Sequence, residues 1–90
     1  MVYITHIRFA GGSGMQHIAL VRWEQPGYGR QGVNTRAQMV DYVREGNDVF
    51  VRGRGNTPDA KVVIADANPP HLKTVADGRD SNNLLCLPVF

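Results

Sequence analysis

The first quarter of the chain alternates between apolar and polar residues, a pattern typical of β-strands. It predicts one strand over Val2 to Phe9 and a second over Ile18 to Glu24. The glycine-rich segment 11–14 between them favours a tight turn, because glycine adopts positive φ without steric cost. We therefore expect the two strands to pair as a hairpin. Strict alternation places the side chains of each strand on two opposite faces. In the first strand, Val2 and Ile4 lie on one face and Tyr3, Ile7 and Phe9 on the other. In the second strand, one face carries Ala19, Val21 and Trp23, and the other carries Ile18, Leu20 and Arg22.

The period of the pattern changes after residues 25–33, which we interpret as a loop or a second tight turn. Thr35 or Asn34 is suited to cap a helix, and Gln38 follows Thr35 by three positions, as in a capping box. Gly46 is typical of the position just beyond a helix end. The pattern predicts a helix of about eleven residues, roughly three turns. Its apolar stripe consists of Met39, Val40 and Val43.

Three further apolar segments predict short strands. The first two bracket a loop at 53–60, a proline pair ends the second, and the third follows the prolines as a possible fifth strand. The three segments are Asp48 to Arg52, Lys61 to Ala65 and His71 to Ala76. The predicted order is β-β-α-β-β-β. We expect a single compact α+β domain over residues 1–90, with a mainly antiparallel sheet of four to five strands and one short helix packed on it.

The last apolar segment directly follows a run of turn-forming residues at 77–83. A functional site and a segment held in the core would both produce this pattern. Burial of three leucines would contribute ~1.5–3 kcal/mol each before the entropy cost, so we predict a structural role. In that prediction Asp77 and Gly78 form a tight turn, Asp80 or Asn82 closes an Asx turn, and the amide of Asn83 bonds backbone groups. The residues assigned to this role are Thr74, Asp77, Asn83, Leu84, Leu85 and Leu87.

Composition argues against several classes of protein. No apolar run approaches the ~18–20 residues of a membrane helix, and the first residues lack the apolar stretch of a signal peptide. A cytoplasmic protein is therefore expected. The single cysteine, Cys86, excludes an intrachain disulfide and a cysteine-based zinc site, and we expect it to be a small buried side chain. His6, His17 and His71 lack the spacing of metal ligands, so no metal or cofactor is predicted.

An enzyme is not expected either. Nucleophilic catalysis would require Cys86, Ser13 or Ser81 to combine with His17 or His71 and with Asp77. The spacing of these residues does not favour such a combination. A domain of this size also leaves little room for a pocket of ~300–1,000 Å³.

The motifs of the chain resemble those of a family of small bacterial and phage proteins known as domain of unknown function 3892. The resemblance covers nearly the whole length. It implies a single compact domain of bacterial or phage origin, and it carries no catalytic residue to this chain. The residues that carry it are Ile7-Arg8, Gly11-Gly12, His17-Ile18, Leu20, Trp23, Arg36, Met39, Val40, Leu72, Thr74, Asp77-Gly78, Asn83-Leu84-Leu85 and Leu87-Pro88.

The function that remains is non-catalytic binding to another protein or to a second copy of the chain. Tyr28 and Trp23 are the aromatic side chains that would serve such contacts. The alternative is weak nucleic-acid binding through arginine-rich loops, since two arginines spaced by a glycine and followed by a long loop could bind phosphates bidentately. The arginines assigned to that alternative are Arg30, Arg36, Arg52 and Arg54, with Asp48 and Asp59 close enough to screen them.

Overall fold

Seven strands and one α-helix make up the described part of the computed structural model, which covers residues 1–53, 55–76, 78–81 and 83–90. The strands form one mixed sheet in the order β3-β2-β1-β4-β5-β6-β7. The α+β class is confirmed, whereas the expected four to five strands are corrected to seven. The elements are β1 (Val2–Phe9), β2 (Ile18–Gln25), β3 (Arg30–Thr35), α1 (Arg36–Arg44), β4 (Val49–Val51), β5 (Ala60–Ala65), β6 (His71–Ala76) and β7 (Arg79–Ser81), with 3₁₀ turns at Met15–His17 and Asn83–Cys86.

The two additional strands lie at the two edges of the sheet. β3 begins at Arg30, within the segment 25–33 that was predicted as a loop or tight turn. The strand was missed because its sequence RQGVNT has only one large apolar residue and shows no alternation. It is a strand because it pairs with β2 over its whole length. β7 lies in the turn-rich segment and pairs with β6. Asp80 is part of that strand, so the predicted Asx turn at this residue is wrong. Asp77 and Asn82 lie outside the described residues.

The helix begins as the sequence predicts. The backbone N–H of Gln38 donates to Thr35 Oγ1 at 3.2 Å, and the N–H of Thr35 donates to Gln38 Oε1 at 2.9 Å, which completes the capping box. Gly46 has a φ of +96°, a conformation that favours glycine at a helix end. Met39 and Val40 are buried against the sheet. The helix has nine residues rather than about eleven.

Two irregularities in the β1–β2 hairpin change which side chains face the core. Ile4 pairs with Trp23 while His6 pairs with Arg22, so Thr5 is an extra residue in β1. Such a bulge shifts the alternation by one position, and therefore Ile4 and Ile7 are both buried. The predicted assignment of these two residues to opposite faces is wrong for this reason.

The second irregularity lies at the other end of the hairpin. Arg8 pairs with Leu20 and Phe9 with Ile18, which leaves Ala19 as the extra residue in β2. Ile18 therefore joins Val21 in the core, where both are essentially inaccessible to solvent. Strict alternation had placed them on opposite faces.

The segment 83–90 completes the sheet next to β1. β4 pairs with β1 only at Val2 and Tyr3, and further along β1 the neighbouring position is taken by Val89, which bridges Ile7 in parallel. Leu84 is fully buried in the core and Leu87 packs against it. Leu85 is 38% exposed and Cys86 is exposed, so the predictions that these two side chains are buried are wrong. A 3₁₀ turn directs successive side chains around its axis, and only part of them can face the core.

The side chain of Thr74 links β6 to β7 inside the protein. Its Oγ1 donates to the main-chain oxygen of Ser81 at 3.1 Å and accepts from Ser81 Oγ at 2.9 Å, while Thr74 itself is fully buried. Asn83 is half-buried and makes no side-chain hydrogen bond to another described residue. Of the polar residues assigned to the structural role, Thr74 therefore makes the clearest contact.

Thr74→Val is expected to lower the free energy of unfolding by ~1–3 kcal/mol, because a methyl group leaves the polar groups of Ser81 without their partner. Urea denaturation of both forms measures the difference. Ser81→Ala is the matched control and should cost less, since the Thr74 hydroxyl keeps its bond to the main chain. A Thr74→Val protein as stable as the wild type would contradict this role.

Candidate anion-binding site

The bulge at Thr5 places two basic side chains on the face of the sheet opposite the buried Ile4 and Ile7. His6 pairs directly with Arg22 of β2, and Arg8 lies two pairs further along the hairpin, on the same face as His6. Residues paired or diagonal across antiparallel strands on one face are within reach of each other. Bulges re-aim side chains in this way and are frequent next to functional sites. We call these three residues, together with Phe90, the outer-face cluster.

Phe90 is the centre of the outer-face cluster. The guanidinium carbon of Arg8 lies 4.9 Å from the centroid of its ring and that of Arg22 lies 4.6 Å away, both within cation–π distance. Arg8 Nε also donates to the main-chain oxygen of Phe90 at 2.6 Å. The ring of His6 meets the Phe90 ring edge-on, with centroids 6.3 Å apart. The Phe90 ring therefore contacts two cationic groups from neighbouring strands.

Neither arginine of the outer-face cluster forms an ion pair with an aspartate or glutamate of the described residues. The ion pairs found there are Arg52–Glu24, Lys61–Asp48 and Lys73–Asp80. Arg8 and Arg22 are both exposed. Arg8 donates instead to an oxygen of Phe90, and Arg22 contacts the ring of the same residue.

Arg52 lies in a separate group of residues that is internally neutralised. It donates to Glu24 Oε1 at 2.6 Å, and its guanidinium lies 4.2 Å from the centroid of the Tyr3 ring. The Tyr3 hydroxyl donates to Asp59 Oδ2 at 3.0 Å. Asp59 Oδ1 accepts from the backbone N–H of Gly53 at 2.9 Å, which closes the loop that carries the arginine-glycine sequence. This loop is thus held in place by its acidic residue.

These contacts shift two pKa values in opposite directions. The hydrogen bond from the backbone of Gly53, followed by that from Tyr3, lowers the pKa of Asp59 below its ordinary value. The hydrogen bond to Asp59 raises the pKa of Tyr3. Since the folded-state pKa of Asp59 is lowered, its contribution to stability is present above the ordinary carboxyl pKa and is lost as the pH falls through the lowered value. Asp59 therefore carries a negative charge next to Arg52 at neutral pH.

The predicted arginines are only partly brought together. Arg30 and Arg52 line one open groove of about 360 Å³, which Glu24 also lines. Arg36 lies at the start of α1, where its Nη1 donates to the main-chain oxygen of Gln16 at 3.1 Å. Arg54 lies outside the described residues. The groove therefore holds two of the four arginines, one of them already paired with an acid.

The two predicted partner-binding aromatics differ in their surroundings. Tyr28 is 75% exposed in the turn before β3. Trp23 is half-buried, and its Nε1 donates to Asn34 Oδ1 at 2.6 Å. The indole lies across Gly32 of β3, where a Cβ atom would approach it to 2.8 Å. Trp23 therefore joins β2 to β3, and Tyr28 alone of the two is presented to solvent.

One comparison with known proteins bears on the chain as a whole. The model of a family described as protein of unknown function (DUF3892) matches residues 3–88. The chain belongs to this family. The resemblance found in its sequence motifs is thereby confirmed. No curated protein and no solved structure matches the chain.

The described part of this DUF3892 domain contains neither a group of metal ligands nor a membrane-spanning helix. Across the described residues, no group of three or more histidine, cysteine, aspartate or glutamate side chains is arranged to hold a metal ion. The helix found in that part of the chain is too short to span a membrane.

Sequence reasoning missed the outer-face cluster. Arg8 and Arg22 lie within predicted strands, and the pairing of these strands as a hairpin could be predicted. The extra residue that turns His6 and Arg8 to the outer face could not, because it leaves no mark in the alternation of apolar and polar residues. The position of Phe90 depends on a contact with residues more than 60 positions earlier in the sequence. Such long-range contacts have no local signal in one sequence.

Proposed function

We propose that this chain is a small non-catalytic binding protein, and that β3 accepts an extended segment of a protein partner. The observation that supports this is the contrast between the two edges of the sheet. β7 has three residues, of which Arg79 and Asp80 are charged, as is usual for a protected edge. β3 has six residues and a single charge, Arg30, at its start.

The side chains near β3 also suit a protein contact. Val33 is 49% exposed in the middle of the strand, and the exposed Tyr28 lies in the turn before it. Strand addition draws its affinity from main-chain hydrogen bonds and its specificity from alternate side chains. The unpaired main-chain groups of β3 can form the hydrogen bonds, and the side chains of Val33 and Tyr28 can provide the specificity.

Nucleic-acid binding through the predicted arginine loops has weaker support. Arg52 is paired with Glu24, and Asp59 lies beside the same loop. Arg36 is engaged with the main chain of the 3₁₀ turn. The formal net charge is only +2, so there is little long-range attraction for a polyanion.

The proposal is tested with a double variant that protects the edge, Gln31→Lys with Val33→Lys. The control is Asn56→Lys with Ala67→Lys, which adds the same charge at exposed loop positions. In quantitative pull-downs from cells that naturally produce the protein, we expect a partner that is captured by the wild type and the control and lost with the edge variant. Sedimentation velocity distinguishes a different protein from a second copy. Equal capture by both variants, with unchanged melting temperatures, would contradict the proposal.

A further inference from the structure

We propose that the segment which adds to β3 carries one apolar side chain that enters a cavity beside this strand, and one acidic side chain two positions away. This inference rests on the strand addition proposed above and adds the chemistry of the partner. The feature that carries it is Gly32, the residue of β3 that has no side chain and over which the indole of Trp23 lies.

The cavity lies between the helix and the end of the sheet that β3 forms, and its volume is about 150 Å³. Its lining includes the buried Val2 and Met39 and the half-buried Trp23 and Tyr42. Arg30 lines it as well and is exposed, so the cavity reaches the surface at β3. An apolar cavity of about 150 Å³ can hold a benzene-sized group, whereas drug-sized ligands occupy ~300–1,000 Å³. The cavity therefore fits a single apolar side chain.

The pairing of β2 with β3 determines which partner side chain faces the cavity. Gly32 pairs with Trp23, and Arg30 and Asn34 lie on the same face as Gly32, since alternate residues of a strand share a face. A Cβ atom on Gly32 would approach the indole to 2.8 Å, so the ring lies directly above this position of the edge strand. Directly paired residues also share a face. The partner side chain opposite Gly32 therefore meets the indole and the opening of the cavity.

Arg30 determines the second feature of the partner. It is the one charged residue of β3, and its side chain makes no hydrogen bond or ion pair with another described residue. Glu24, which lines the groove on the other side of Arg30, is paired with Arg52. A partner residue opposite Arg30 lies two positions from the one opposite Gly32, and an acid there complements the guanidinium charge. The acid follows the apolar residue if the added strand is antiparallel to β3 and precedes it if the strand is parallel.

The test uses two synthetic peptides of identical composition, TVTLTET and TETLTVT, which present leucine and glutamate in opposite order. Binding is followed by NMR of the β3 main-chain amides and of the indole N–H of Trp23. We expect saturable shifts of both sets of signals with one peptide, which also gives the direction of addition. Replacement of its leucine by alanine should weaken binding by about tenfold or more, because most of the buried apolar side chain is lost.

Two results would overturn the inference without deciding the proposed function. Equal affinity of the leucine and alanine peptides would show that strand addition occurs without the cavity. The absence of saturable binding by either peptide would show that this side-chain pattern is not what β3 recognises. The pull-down with the edge variant tests strand addition by a protein partner independently of both results.

Exchange of charge tests the acidic position. The wild type should prefer the glutamate peptide over its lysine counterpart by about threefold, as for an exposed ion pair, and Arg30→Glu should reverse this preference. Arg30 is exposed, so the change leaves the core intact. Arg79→Glu, on β7 at the opposite edge of the sheet, makes the same change of charge and should keep the wild-type preference. An unchanged preference in Arg30→Glu, or a reversal in the Arg79 control, would overturn the assignment of the acid.

Discussion

Deletion of residues 82–90 is expected to abolish cooperative unfolding. The described part of this segment supplies the fully buried Leu84 and a main-chain connection to β1. The N–H of Ile7 donates to the oxygen of Pro88 at 3.0 Å, and the N–H of Phe90 donates to the oxygen of Ile7 at 3.0 Å. Without the segment, the buried Ile7 loses both main-chain partners, and buried unpaired groups of this kind cost ~1–3 kcal/mol each. A domain of this kind has a free energy of unfolding of ~5–15 kcal/mol, so these losses together with that of Leu84 are expected to unfold it.

Urea and thermal denaturation, followed by circular dichroism and by the fluorescence of Trp23, measure the effect of the deletion. The control is Val89→Ala, because the side chain of Val89 is 62% exposed and its main-chain bridge to Ile7 is kept. This control should unfold cooperatively near the wild-type midpoint. A truncated protein with a sigmoidal transition at the wild-type midpoint would show that the segment is not part of the folded unit.

Leu84→Ala is expected to lower the free energy of unfolding by ~2–5 kcal/mol, the range for a buried leucine that leaves a cavity. Leu84 has no accessible surface and belongs to the core cluster that includes Ile7 and Leu72. Leu85→Ala provides a matched comparison one residue away, since Leu85 is 38% exposed. Its expected cost is below ~1 kcal/mol, as for surface substitutions. Urea denaturation measures both values, and equal costs for the two leucines would contradict the observed orientation of the 3₁₀ turn.

Features of the fold that depend on neighbouring residues could be predicted from the sequence. The capping box needs only Thr35 and Gln38, and the end of the helix needs only the glycine that follows it. The first hairpin and the β5–β6 hairpin join strands that are adjacent in sequence. In each case the apolar spacing and the turn residues lie within about 25 positions of each other.

Features that depend on distant residues could not be predicted. β3 has no strand-like pattern of its own and is defined by its pairing with β2. The parallel pairing of β1 with β4 joins residues 47 positions apart at Val2 and Val49. The neutralisation of Arg52 by Glu24 likewise joins residues 28 positions apart. The prediction of arginine function considered only acids close in the sequence, and it therefore missed Glu24, which pairs with Arg52.

The bulges limited the prediction of the outer-face cluster in a different way. One extra residue reverses the face of every side chain that follows it in the strand. Strict alternation from Ile4 would put His6 and Arg8 on the buried face of Ile4, whereas the bulge places them on the other face. Since bulged strands contain no residue type that marks the extra position, only the pairing with β2 identifies Thr5.

The bridge between Ile7 and Val89 has a consequence for synthesis on the ribosome. β1 pairs with β2 soon after both are made, but its other edge receives Val89 only after 82 residues have been added beyond Ile7. Throughout that interval Ile7 lacks its partner in the segment 83–90, and the core lacks Leu84. Closure of so long a loop is slow compared with local hairpin formation. Until residues 83–90 have left the exit tunnel, the nascent chain is therefore exposed to chaperones and to aggregation.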